Sequence, residues 1–85
     1  MKVGGRVIQN RNIRQKTHDD FEATYKGHMI SITTDHGFGE PKYGHLKRFN
    51  IDVYEINTGS YAVETWKDFH TIKDAIRYAL EGACL

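Results

Sequence analysis

The stretch FNIDVYEINTGSYAVETWKDFHTIKDAIRYALEG, Phe49 to Gly82, reads as a strand, a tight turn, a second strand and one amphipathic helix folded back on the pair. In its last third, Ile72, Ala75, Ile76, Ala79, Leu80 and Ala83 recur at i, i+3, i+4, i+7, i+8 and i+11, which gathers the apolar side chains on one stripe. Lys73, Asp74, Arg77, Tyr78 and Glu81 fall on the other side. Thr71 is the expected N-cap, accepting from the backbone N–H of Asp74, and Gly82 is the expected left-handed stop. A helix of about a dozen residues is marginal alone, so this one requires a sheet to cover.

The turn sets the register of the strand pair. Asn57 and Thr58 suit a type I turn and Gly59 the left-handed residue of a three-residue loop, so Ile56 is expected opposite Ser60. Counting outward, Val53 meets Val63, Ile51 meets Thr65 and Phe49 meets Lys67 on the helix side. On the other face Tyr54 meets Ala62, Asp52 meets Glu64 and Asn50 meets Trp66. A slip of one residue would exchange the faces, so the register is a strict expectation.

Upstream, FEATY, Lys26-Gly27 and HMISITT read as a second hairpin around a two-residue turn, with Tyr25 opposite His28, Ala23 opposite Ile30 and Phe21 opposite Ile32. Thr24, Met29, Glu22 and Ser31 then share the face away from the helix. Residues 1–18 hold five of the twelve bases, Lys2, Arg6, Arg11, Arg14 and Lys16, and none of the eleven acids. Arg6 to Gln9 is a candidate short edge strand, whereas Asn10 to Thr17 is polar enough to stay loose, so this part reads as a basic, partly flexible arm on a domain spanning 19–85. Between the hairpins, DHGFGEPKYGHLK, residues 35–47, is a loop by composition. It is either a binding loop or a plain connection, part of it extending the flanking strands.

At 85 residues, with 39% apolar and 27% charged residues, the chain has room for one core and lies away from disordered compositions. The expected fold is α+β: an antiparallel sheet of four or five strands with one C-terminal helix on one face. The expected core is Phe21, Ala23, Ile30, Ile32, Phe49, Ile51, Val53, Val63, Phe69, Ile72, Ile76, Ala79 and Leu80. No apolar run suits a bilayer and no signal-peptide pattern opens the chain, so the expectation is a soluble, cytoplasmic protein with no membrane partner. The single cysteine, Cys84, agrees with a reducing compartment.

Chemistry-bearing patterns are sparse. His36 and His45 lie near Asp35 and Glu40 in the loop, but a nine-residue spacing without Cys-x-x-Cys or His-x-x-x-His fixes no coordination geometry, so neither a metal nor another cofactor is expected. His18-Asp19-Asp20 reads as a polar lead into the first hairpin, and no nucleophile with an oriented histidine marks an enzyme. Phe69-x-Thr71-x-x-x-Ala75-x-x-Tyr78-Ala79 after a strand resembles the sheet-to-helix junction of DNA-reading domains in certain plant transcription factors and of integrase arm-binding domains. That resemblance implies DNA contact through the sheet face opposite the helix. Here that face would set Asp52 across from Glu64, near Glu22, and carboxylates repel phosphates.

The same face offers Tyr54, Trp66 and Met29, with the neighbourhood of Tyr78, among the carboxylates Asp52 and Glu64, and aromatics and methionine are enriched at protein contacts. The leading expectation is a non-catalytic protein-binding or regulatory module that uses this face, with an edge strand as a further candidate contact, toward a protein partner or a second copy. The alternative is a nucleic-acid-binding module using Arg6, Arg11, Arg14, Lys16, Lys42, Lys47 and Arg48.

Overall fold

The computed structural model describes residues 1–34 and 46–85, and within them the apolar alternations of the sequence are strands. The elements are β1 (Lys2–Val3), β2 (Arg6–Val7), a 3-10 turn (Asn10–Asn12), β3 (Ile13–Lys16), β4 (Phe21–Tyr25), β5 (His28–Thr34), β6 (Lys47–Glu55), β7 (Tyr61–Phe69) and α1 (Ile72–Gly82). β3 to β7 form one antiparallel sheet in chain order, β1 and β2 pair separately, and α1 packs on one side of the sheet against β5, β6 and β7. The fold is α+β.

The first hairpin has the expected register throughout, from Tyr25 opposite His28 to Phe21 opposite Ile32. Lys26 and Gly27 both take positive φ, 47° and 76°, as a two-residue turn matched to strand twist requires. The two hairpins join through β5 and β6, where Ile30 faces Val53 and Ile32 faces Ile51. Two apolar alternations with one period of two can share a core only in this phase.

In the second hairpin the pairs from Val53–Val63 to Phe49–Lys67 are as expected, but the turn end differs. Tyr54 stands opposite Tyr61, not Ala62. The Glu55 N–H donates to the Ser60 carbonyl at 2.9 Å and the Gly59 N–H to the Glu55 carbonyl at 2.8 Å, so the loop holds four residues, Ile56 to Gly59. The cause lies outside the hairpin: the Ile56 N–H donates to the Gly27 carbonyl at 3.0 Å, which holds Ile56 toward the neighbouring turn. A bulge at the start of β7 then restores the register.

α1 begins at the expected cap, with the Thr71 hydroxyl accepting from the Asp74 N–H at 3.2 Å. Its end is not the expected one. Gly82 is still helical, and the left-handed residue is Cys84, with φ 57°. The Cys84 N–H donates to the Glu81 carbonyl and the Leu85 N–H to the Leu80 carbonyl, the double bond of a Schellman stop. Gly82 serves a different need: a Cβ there would meet Val63 Cγ2 at 3.1 Å, so its lack of a side chain lets α1 approach β7 closely.

The stretch expected to stay loose, Asn10 to Thr17, contains the 3-10 turn and β3, which pairs Ile13 with Ala23 and Lys16 with Phe21. Upstream of it Val3 and Ile8 are buried, although neither belongs to the expected core. Met1 and Ile8 exchange backbone hydrogen bonds of 2.8 and 2.9 Å, and the Arg6 guanidinium donates to the carbonyls of Gly4 and Leu85, which ties the β1–β2 hairpin to the end of α1. The physical reason is space: α1 covers β5 to β7, so apolar area toward β3 and β4 must be covered by something else. The rest of the buried cluster is Phe21, Ala23, Ile30, Ile32, Phe49, Ile51, Val53, Ala75, Ile76, Ala79 and Leu80, with Val63, Phe69 and Ile72 half-buried against it.

Ile76→Asp should abolish the cooperative thermal transition followed by circular dichroism, because it leaves a carboxylate in a fully buried apolar cluster. Cys84→Gly should stabilise the chain by about 0.5–1 kcal/mol, roughly 2–8 °C in Tm, by removing a Cβ from the left-handed stop.

Candidate protein-binding face

The face away from α1 is built by strand pairing as cross-strand rows, the outermost being the ion pair of Arg48 with Asp68. Glu22, Ser31, Asp52 and Glu64 form one row, Thr24, Met29, Tyr54 and Tyr61 the next on one side, and Thr33, Asn50 and Trp66 the next on the other. The expected residues Met29, Asp52, Tyr54, Glu64 and Trp66 therefore stand on one surface. Glu22, Met29, Ser31, Asp52, Tyr54 and Tyr61 line a shallow depression of about 200 Å³ that is open to solvent.

Tyr61 was hidden from the sequence by the bulge, since an unbroken ladder puts Ala62 opposite Tyr54. In the structure the rings of Tyr54 and Tyr61 lie 5.5 Å apart in a tilted arrangement, 48° between their planes, within the contact range of aromatic pairs. Trp66 stays apart from them, opposite Asn50 and 51% exposed, and Tyr61 is 56% exposed. Tyr78 does not contribute to this face. Its ring packs 5.5 Å from Phe69, beside α1, with the Lys67 ammonium 4.6 Å from its centroid.

The carboxylates set the electrostatics. Asp52 and Glu64 face each other across β6 and β7, and among the described residues neither has an ion-pair partner. Partial burial, and then the neighbouring Glu64 charge, push the Asp52 carboxyl above its usual range. Glu22 has the Arg14 guanidinium at 3.9 Å, an exposed and weak pair.

The basic residues weighed for nucleic acid do not collect on one surface. Arg6 is committed to the Gly4 and Leu85 carbonyls, Arg11 lies on the 3-10 turn, Arg14 leans toward Glu22 and Lys16 ends β3. Lys47 pairs with Asp19 at 2.8 Å and Arg48 with Asp68 at 3.1 Å. Lys42 lies outside the described residues, as do Asp35, His36, Glu40 and His45. Among the described residues no three His, Cys, Asp or Glu side chains converge as metal ligands, Cys84 is an exposed free thiol, and no helix is long and apolar enough to cross a membrane.

Comparison with protein-family models, with curated proteins and with solved structures finds no match to this chain.

Because its folded-state pKa is raised, Asp52 binds its proton more tightly in the folded than in the unfolded chain. The cost of its charge is full above the folded pKa and is relieved as pH falls through that value toward the ordinary carboxylate range. Asp52→Asn should therefore raise Tm at pH 7, with the gain shrinking to nothing by about pH 3, below the ordinary Asp pKa, in parallel melts of both proteins.

Proposed function

We propose that this chain is a non-catalytic protein-binding module whose sheet face opposite α1 takes a basic segment of a partner protein. The observation that carries the proposal is the pair of opposed carboxylates, Asp52 and Glu64, lacking an ion-pair partner among the described residues and flanked by the exposed rings of Tyr61 and Trp66. A lysine or arginine side chain laid across this face offsets the repulsion between the two carboxylates and rests its stem and charge against aromatic faces. An open depression of this depth orients a partner's side chain but does not exclude water, which suits recognition better than catalysis. As a regulatory module it would act by occupying a basic segment, and its single cysteine fits a reducing cytoplasm.

The same negative face disfavours a polyanion, and the bases that would serve one are dispersed or engaged in ion pairs. Nucleic acid is therefore the outcome that would displace this proposal.

An arginine-rich peptide titrated into isotopically labelled protein should shift the resonances of Met29, Asp52, Tyr54, Tyr61 and Trp66. Glu64→Gln combined with Asp52→Asn should weaken its affinity at least tenfold, and an acidic peptide of equal length should not bind. Shifts confined to other surfaces, or an affinity for duplex DNA or RNA that falls steeply with salt and survives both substitutions, would sink the idea.

A further inference from the structure

The two edges of the sheet are unlike. β3 closes one side with four residues, a bulge between Ile13 and Gln15 and the exposed polar run Arg14, Gln15 and Lys16, which is how natural sheets block strand addition. β7 closes the other with nine residues, and among the described residues it pairs with β6 alone. Its outward backbone N–H and C=O groups form a template for another strand.

We propose that this edge is a dimer interface, in which β7 pairs antiparallel with β7 of a second copy about a two-fold axis beside Thr65, making one continuous ten-stranded sheet. The occupant is argued from charge. A two-fold axis normal to the sheet keeps the same faces together and sets one residue of β7 opposite its own copy. An axis at Glu64 or Lys67 would oppose like charges directly, and one at Trp66 would set Glu64 against Asp68 of the other strand. An axis at Val63 would run the pairing through the bulge at Tyr61. The axis at Thr65 alone places threonine against threonine, Glu64 against Trp66, and Val63 against Lys67, with no like charges directly opposed and the stretch from Val63 to Lys67 fully paired.

Lys67, the residue best placed to guard this edge, is drawn aside, its ammonium lying over the Tyr78 ring. The pairing leaves the outer face of each copy open and does not depend on what that face binds.

Sedimentation of the full chain should show a reversible dimer. Thr65→Lys and Thr65→Glu should each raise its dissociation constant at least tenfold by setting like charges across the axis, while an equimolar mixture of the two should restore a dimer. Circular dichroism checks that both variants fold. Should either fail to fold, Thr65→Cys in a Cys84→Ser background reads the same contact, a disulfide-linked dimer under mild oxidation being the expected product. A parent chain that stays monomeric at millimolar concentration, a dimer indifferent to Thr65→Lys, or a mixture no tighter than its components would overturn the proposal. Arginine-peptide binding, measured on the Thr65→Lys monomer, reports on the outer face separately.

Discussion

Burial of the Ile76, Ala79 and Leu80 stripe of α1 against the apolar alternation of β5, β6 and β7 is the constraint on which the rest of the molecule depends. A helix of this length has little stability of its own, and a sheet with one apolar face cannot leave that face in water. Each requires the other, and their contact assigns every side chain of the strands to one of two sides. Once Ile51 and Val53 are inside, Asp52 and Tyr54 must be outside, so the composition of the outer face is a by-product of the core. Gly82 refines the same contact, since its missing side chain lets the last turn of the helix close on Val63.

Most of this was legible from the letters because it rests on periodicity. The 3.6-residue stripe gave the helix, the period of two gave the strands, and Lys26-Gly27 and Gly59 located the turns. What escaped detection depends on contacts between segments far apart in sequence. Val3 and Ile8 carry no periodic signal, and they are buried because α1 leaves part of the sheet uncovered. The bulge that brings Tyr61 beside Tyr54 follows from a hydrogen bond between Ile56 and Gly27, two turns that no local rule connects. Cys84 at the left-handed stop was masked by a more obvious glycine two residues earlier.

The candidate face was legible to the same extent and for the same reason. Register alone collected Met29, Asp52, Tyr54, Glu64 and Trp66 on one side, but it could not say whether the arginines near the N-terminus would neutralise the carboxylates. Arg6 is held by the backbone carbonyls of Gly4 and Leu85, Arg14 approaches Glu22, and Arg48 pairs with Asp68, so among the described residues no base reaches Asp52 or Glu64. Asp52 and Glu64 are left to repel each other, a local cost that the fold tolerates because the core beneath them is complete.

That cost is informative about function in a way that exposed aromatics are not. Proteins expose much apolar surface without purpose, so Trp66 or Tyr61 alone would say little. Directly opposed carboxylates in a sheet are different, since neutralising one of them relieves a repulsion, and a small domain has little stability to spare. On the proposal made above, a face that combines this repulsion with two exposed rings is destabilised in the free protein and complementary to a cation-bearing partner. A cation laid there would relieve the repulsion, so part of its affinity would come from strain already present in the unbound sheet.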